Sequence, residues 1–232
     1  VSTPDGKVKP EMLHSFFHNF GFEHHSQPKV LYISQLSELG TAYTMNEIKA
    51  LAQLLHQHNM YLHMDGARIA NAAATLGVSL KEITSEAGVD ILSFGGTKNG
   101  MMMGESVITF RPELAENMKY IRKQSTQLYS KMRFCSAQFL AYLEHDLWLQ
   151  NASHSNKMAQ ILRTELEKVS SIQFTQQTDG NILIMKMEPD MIEKLLQKHF
   201  FYIWDEMTHE IRLVTSWDTT EEDVFSFVND VK

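Results

Sequence analysis

The feature that most constrains the fold is an alternation of short apolar runs with helical segments along the first half of the chain. Apolar runs with the composition of strands lie at 29–34, 60–64, 90–94 and 106–110. Helical patterns lie at 68–76 and 80–87, and Thr44 with Glu47 forms a capping box that predicts a helix through His58. Because strands that alternate with helices generally pair in parallel, the pattern predicts a mostly parallel α/β sheet.

Two of these apolar runs end in glycine-containing turns that carry chemically active side chains. One turn contains Lys98, and the other contains Asp65 followed by Arg68. Since the carboxyl ends of neighbouring parallel strands meet at one edge of a sheet, the amine and the carboxylate are expected to converge on one ligand. A pyridoxal phosphate enzyme requires this pair: an amine that binds the cofactor aldehyde and a carboxylate that stabilises the protonated pyridine nitrogen. The simpler interpretations are a surface lysine in a glycine-rich loop and a helix N-cap aspartate.

Several ordered motifs resemble those of the threonine aldolases and their β-eliminating-lyase relatives, which are fold type I pyridoxal phosphate enzymes. The motifs lie at 63–68, 93–100, 130–134, 142–149 and 212–220. The resemblance covers nearly the whole chain from Lys29 onward. It implies a cofactor-binding α/β large domain and cleavage of L-threonine or related β-hydroxy-α-amino acids to glycine and an aldehyde by retro-aldol chemistry. A β-eliminating amino-acid lyase and a catalytically silent fragment or paralogue are the alternatives.

The pattern of elements changes in the last third of the chain. Long helices are predicted at about 134–149 and 154–169, followed by short strands at 181–187, 201–204 and 211–215, with helices at 189–198 and after Thr219. These short elements indicate a small α+β domain. We place the boundary near His145, so that residues 1–145 form part of the large cofactor-binding α/β domain and residues 146–232 form the small C-terminal domain.

Threonine aldolases carry a longer N-terminal part of the large domain, for which this chain has no counterpart before Lys29. We therefore expect the chain to be the C-terminal portion of a longer enzyme, with a large domain that is incomplete at its N-terminus.

The resemblance assigns a role to each candidate site residue in the two turns and in the small domain. Lys98 is expected to hold pyridoxal 5'-phosphate and Asp65 to contact its pyridine nitrogen. Arg68 is expected to contact the ring hydroxyl, and its alternative is a surface helix cation. Arg212 is expected to bind the substrate carboxylate, with an exposed strand arginine as the alternative. His63 lies on the same strand face as Asp65, where a buried, hydrogen-bonded histidine is favoured over a catalytic one.

Two further basic residues, Lys131 and Arg133, lie in a region that in the family binds the cofactor phosphate of the neighbouring subunit. The resemblance therefore also implies a homodimer or homotetramer with shared active sites. The stretch at 124–130 replaces a glycine-rich segment of the commonest family pattern, so these two residues are phosphate candidates on position alone.

Composition excludes several classes of protein. The net charge is −7 and no stripe of Lys and Arg is present, which argues against nucleic-acid binding. No apolar run reaches the length of a membrane span, and a single cysteine, Cys135, excludes an internal disulfide framework. The histidine pairs lack metal-ligand spacing, so no metal site is predicted. A cytoplasmic enzyme that acts on a small amino acid, without nucleic-acid or membrane partners, is expected.

Overall fold

A computed structural model describes residues 2–18 and 20–232. The first sheet has four strands in the order β1-β2-β3-β4. Its strands are β1 (Val30–Ser34), β2 (Tyr61–Gly66), β3 (Ile91–Gly95) and β4 (Glu105–Thr109). The first three strands are parallel and β4 is antiparallel to β3, which confirms the prediction of a mostly parallel sheet.

The second sheet is antiparallel and has the strand order β5-β6-β8-β7. Its strands are β5 (Gln173–Phe174), β6 (Ile182–Lys186), β7 (Tyr202–Asp205) and β8 (Glu210–Val214). With the helices around it, this sheet forms the α+β unit predicted for the end of the chain.

Ten α-helices lie among the described residues. They are α1 (His14–Phe17), α2 (Met45–Gln57), α3 (Ile69–Leu76), α4 (Leu80–Ile83), α5 (Pro112–Ala115), α6 (Met118–Gln124), α7 (Arg133–Leu143), α8 (Leu147–Leu166), α9 (Pro189–Leu196) and α10 (Glu221–Val231). Short 3-10 turns lie at Pro10–Leu13, Ser85–Ala87, Thr97–Asn99 and Glu144–Asp146. None of the helices within residues 2–18 and 20–232 is both long enough and apolar enough to cross a membrane.

Helix α2 begins where the sequence predicts it to begin. The Thr44 side chain accepts a hydrogen bond from the backbone N–H of Glu47, and the Glu47 carboxylate accepts one from the backbone N–H of Thr44 at 2.7 Å. These two bonds satisfy donors that the first helical turn leaves without partners. The capping-box prediction is therefore confirmed.

The prediction of helices at 134–149 and 154–169 is wrong about the position at which the first helix ends and the second begins. Helix α7 ends at Leu143, and His145 and Asp146 then adopt positive φ angles of 52° and 55°. Helix α8 runs without interruption from Leu147 to Leu166, through the gap that the sequence predicted. The gap is helical because Ala152 is fully buried against the first sheet's core, which stabilises helix at a position where local sequence does not require it.

Two apolar cores hold the molecule together, and α8 contributes to both. Trp148 and Ala152, near its start, belong to the core beneath the first sheet. Met158 and Leu166, further along, belong to the core of the second sheet. The boundary between residues 145 and 146 stays a prediction, since the helix that begins there joins the two cores.

Candidate functional site

Asp65 and Lys98 lie at the carboxyl ends of adjacent parallel strands. Asp65 is next to last in β2 and pairs in register with Ser93 of β3. Lys98 lies three residues after β3, in the 3-10 turn Thr97–Asn99. The parallel pairing of β2 and β3 therefore brings the two candidate residues to the same edge of the sheet, as the sequence predicts.

Glycines bring the two turns together by allowing close packing within the protein. A Cβ atom on Gly95 would lie 2.8 Å from the Cα of Ala67, in the turn after β2. A Cβ on Gly96 would lie 2.0 Å from the Sδ of Met101. Neither position can carry a side chain without rearrangement, because real Cβ atoms do not approach other atoms so closely. Gly95 thus places the Lys98 turn directly beside the Asp65 turn.

The Asp65 carboxylate is oriented by two hydrogen-bond donors. Its Oδ1 accepts from the backbone N–H of Ala67 at 2.9 Å, and its Oδ2 accepts from the Tyr32 hydroxyl at 2.7 Å. Burial raises the pKa of Tyr32 to about 12, and the hydrogen bond to Asp65 and the charge of that carboxylate add to the effect. Tyr32 therefore remains a donor. Asp65 does not cap α3, whose N-cap residue is Arg68.

Lys98 is exposed, while the residue after it anchors the turn. Among residues 2–18 and 20–232, no side chain or backbone group hydrogen-bonds or ion-pairs with the Lys98 amine. Asn99, in contrast, is buried and donates to the Tyr142 hydroxyl at 2.7 Å and to the Trp148 carbonyl at 2.8 Å. The backbone of this turn is held in place by Asn99, and the Lys98 amine has no partner within the described residues.

Two arginines, one at the N-cap of α3 and one in β8, have buried N–H groups without hydrogen-bond partners. The Nε of Arg68 and both the Nε and the Nη2 of Arg212 are buried without a hydrogen-bond partner. Burial lowers the pKa of Arg68, the positive charge of Arg212 lowers it further, and the charges of Glu38 and Asp65 oppose the change. Buried guanidinium groups whose N–H groups lack partners are suited to bind an anion.

The environment of Arg212 excludes the interpretation of an exposed strand arginine. It lies in β8 between β6 and β7, and only 10% of its side chain is exposed. Its guanidinium lies 5.6 Å from the centre of the Trp204 ring, and its Nη2 lies 3.7 Å from Oε2 of Glu38.

The two predicted phosphate-binding residues lie apart from the other candidate site residues within this chain. Lys131 and Arg133 are exposed at the start of α7, and within the described chain neither contacts Asp65, Arg68 or Arg212. The Lys131 amine lies 3.4 Å from the Ser130 hydroxyl, and the Arg133 guanidinium lies 4.8 Å from the centre of the Phe134 ring. Their role at a neighbouring subunit's phosphate stays a prediction.

His63 is half-buried one pleat away from Asp65. Its Nε2 is 2.9 Å from the Ser93 hydroxyl, and its ring packs edge-on against Tyr32 with centroids 4.9 Å apart. Burial lowers its pKa, and the charge of Asp65 opposes this change. These contacts fit the favoured interpretation of a hydrogen-bonded structural histidine.

Three contributors to the site were missed by sequence reasoning: Tyr32, Glu38 and Trp204. Period-two alternation places Tyr32 on one face of β1, yet only the register of β1 against β2 puts its hydroxyl beside Asp65. Glu38 lies in a loop and Trp204 in an edge strand, and neither position carries a local signal of its neighbour Arg212.

The parallel sheet with a strand-end lysine and aspartate, followed by a small antiparallel domain, defines the fold type I architecture of pyridoxal phosphate enzymes. A family model described as β-eliminating lyase matches residues 1–188. The chain belongs to this family.

Named relatives place the chain more closely within the family. A protein of Pseudomonas sp. named low specificity L-threonine aldolase is 36% identical over 98% of this chain and 66% of its own length. The protein of that name from Pseudomonas aeruginosa is 35% identical over 100% of this chain and 67% of its own length. The Leishmania major threonine aldolase structure superimposes with a TM-score of 0.92 and 32% identity, over 100% of this chain and 68% of that one. The chain thus spans about two thirds of the length of the curated relatives that it matches.

Proposed function

We propose that the protein is a pyridoxal-phosphate-dependent aldehyde-lyase that cleaves L-threonine or related β-hydroxy-α-amino acids to glycine and an aldehyde. The observation that carries the proposal is that two adjacent parallel strands bring Asp65 and Lys98 to one edge of the sheet, with the unpartnered, buried Nε–H of Arg68 in the turn that follows Asp65. The names of the relatives support the same reaction. We further propose that it acts in the cytoplasm as a homodimer or homotetramer.

The residues present fit the proposed cofactor. Asp65 already accepts two hydrogen bonds, and a carboxylate has acceptor sites for a third donor such as a protonated pyridine nitrogen. Lys98 offers an unencumbered amine that would hold the cofactor aldehyde covalently. Arg68 offers a buried Nε–H for the ring hydroxyl. When bound, pyridoxal phosphate supplies an electron sink for the charge left on the α-carbon after the carbon–carbon bond breaks.

Arg212 is suited to hold the substrate through its α-carboxylate. Its two unused N–H groups, Nε and Nη2, lie on one edge of the planar guanidinium and match the two oxygens of a carboxylate. Because the side chain is largely buried, such a charged contact is screened by water less than an exposed one. Holding the carboxylate fixes the orientation of the α-carbon substituents relative to the Lys98 and Asp65 strand ends.

The phosphate group needs donors that the Asp65, Arg68 and Arg212 group does not supply. Lys131 and Arg133 are exposed cations at the start of α7, and we propose that they reach the phosphate bound in a neighbouring subunit. This assignment requires the subunits to share their active sites.

Borohydride reduction tests the proposal on the holoenzyme. We expect the reduced cofactor on the peptide that contains Lys98, and we expect L-threonine to yield glycine and acetaldehyde. The matched control is Lys98→Arg, which keeps the charge but cannot attach the aldehyde and should lose the label and the activity. A label on Lys119 or Lys123 would overturn the assignment, and release of ammonia in place of glycine would identify a β-eliminating lyase.

A further inference from the structure

The carboxylate of Glu38 lies beside the proposed substrate-binding arginine. Its Oε2 is 3.7 Å from the Nη2 of Arg212, one of the two nitrogens that lack a hydrogen bond. Glu38 follows β1 in the loop beside the site, and 62% of its side chain is exposed. A largely solvated carboxylate therefore lies beside a buried guanidinium whose Nε and Nη2 donors have no hydrogen-bond partner.

The separation indicates that Glu38 is attracted to Arg212 without binding it tightly. Charge-assisted N–H···O bonds are typically about 2.7–2.9 Å long, so 3.7 Å leaves the arginine's donors available. The pair is weak because the Glu38 carboxylate is largely solvated and makes no direct hydrogen bond to the guanidinium. An incoming carboxylate that makes two direct bonds can displace Glu38.

The orientation of Arg212 does not depend on Glu38. Its backbone is held in the sheet by pairing with Ile184 on one side and Tyr202 on the other. Its guanidinium packs near the Trp204 ring, 5.6 Å from the centroid, and most of its side chain is buried. Removing the Glu38 charge should therefore leave the arginine in place and its donors free.

We propose that Glu38 lowers the affinity of the site for amino acids by competing with them for Arg212. Its carboxylate lies beside the guanidinium until the α-carboxylate of the amino acid displaces it. This inference rests on the proposed function, which places the substrate carboxylate at Arg212. Glu38 thereby weakens the binding of every amino acid that carries an α-carboxylate and leaves amines without one unaffected.

The variant Glu38→Gln, compared with wild-type holoenzyme, tests the proposal. The bound cofactor's absorbance is followed while glycine, which has the α-carboxylate, or ethanolamine, which lacks it, is added. We expect Glu38→Gln to lower the dissociation constant for glycine about two- to fivefold, the range of an exposed ion pair, and to leave ethanolamine unchanged. The matched control is Glu193→Gln, at an exposed acidic residue of α9, which should bind both like the wild type.

Other outcomes of the titration would contradict either the competition by Glu38 or the role of Arg212. Unchanged or weaker glycine binding in Glu38→Gln would show that Glu38 does not compete and would overturn the inference. Equal changes for glycine and ethanolamine would overturn it as well, since the effect would not involve the carboxylate. The variant Arg212→Ala separates the two proposals: loss of glycine affinity there supports the substrate site whatever Glu38 does, and unchanged affinity refutes Arg212's role.

Discussion

At the scale of single residues, the unsatisfied N–H groups of Arg68 and Arg212 are the clearest sign of a binding site. Buried donors without partners are destabilising by about 1–3 kcal/mol each, so folded proteins satisfy nearly all of them. Here three such atoms lie on two arginines, and the positive charge of Arg212 contributes to lowering the pKa of Arg68. An anionic ligand would accept hydrogen bonds from these atoms and offset the positive charge of the two arginines. We therefore interpret the destabilisation that these unpartnered groups cause in the free protein as a consequence of their role in ligand binding.

The role of Asp65 can be tested by comparing turnover in two variants, one at Asp65 and one at its hydrogen-bond donor Tyr32. Replacing Asp65 with Ala removes the carboxylate, and we expect turnover to fall by about 10²–10³-fold, the size of effect seen when one preorganised electrostatic group is removed. The variant Tyr32→Phe keeps the carboxylate and removes one of its two donors. We expect a loss of only about two- to tenfold there, as for one hydrogen bond.

The measurement is kcat for L-threonine in both variants with saturating cofactor. Near-normal turnover in Asp65→Ala would refute the pyridine-nitrogen role. A loss in Tyr32→Phe as large as in Asp65→Ala would show that the hydroxyl, not the carboxylate, carries the effect.

At the scale of secondary-structure elements, local signals predict where helices start better than where they break. Capping boxes are present before α2, α4 and α10. Each is a contact between residues three positions apart, which sequence alone reveals. The break between α7 and α8 depends instead on how Trp148 and Ala152 pack into a core built from distant strands. Local propensity cannot report that packing, so the predicted gap at 150–153 was wrong.

The cap of α2 can be tested directly. Replacing Thr44 with Ala removes the side-chain acceptor of the Glu47 N–H, and we expect the free energy of unfolding to fall by about 0.5–2 kcal/mol. Thr44→Ser keeps the hydroxyl and should lose little, since Thr44 is exposed. Urea unfolding of the two variants and the wild type measures the difference. Equal losses in both variants would mean that the methyl group, not the cap, stabilises the helix.

At the scale of the whole molecule, the candidate site depends on the relative placement of the two sheets. Arg68 follows a strand of the first sheet and Arg212 lies in the second. The loop after β1 links the two parts, because the backbone N–H of Ala42 donates to Asp179 at 3.0 Å and the N–H of Asp179 donates to the Gly40 carbonyl at 3.2 Å. Such contacts hold the loop after β1 against the segment that precedes β6.

The side chain of Asn71 links α3 to α8 by hydrogen bonds, and replacing it tests how much this link between the two helices stabilises the fold. Its buried side-chain amide donates to the Ser155 hydroxyl at 2.9 Å and to Asn156 Oδ1 at 2.8 Å, and its backbone carbonyl accepts from Asn156 Nδ2 at 2.9 Å. Asn71→Ala removes the donor to the buried Ser155 hydroxyl and to the half-buried Asn156 Oδ1, and we expect the free energy of unfolding to fall by about 1–3 kcal/mol.

A double-mutant cycle with Ser155→Ala provides the control. Because the two side chains are in direct contact, we expect a coupling energy of about 0.5 kcal/mol or more in chemical denaturation. Strict additivity of the two losses would contradict an energetic link between Asn71 and α8 through this bond.

The sequence by itself determined the elements and the chemistry that they carry. Periodicity and caps predicted the mostly parallel sheet and the small α+β unit, and the ends of two strands indicated Asp65 and Lys98 as candidate site residues, because these signals lie within a few residues of one another. Only the tertiary structure decided that Tyr32 donates to Asp65, that buried N–H groups of Arg68 and Arg212 lack partners, and that Glu38 lies beside Arg212. The physical reason is that such contacts depend on strand register and on packing between sheets. Register and packing are set by the whole chain folding at once and leave no local pattern to read.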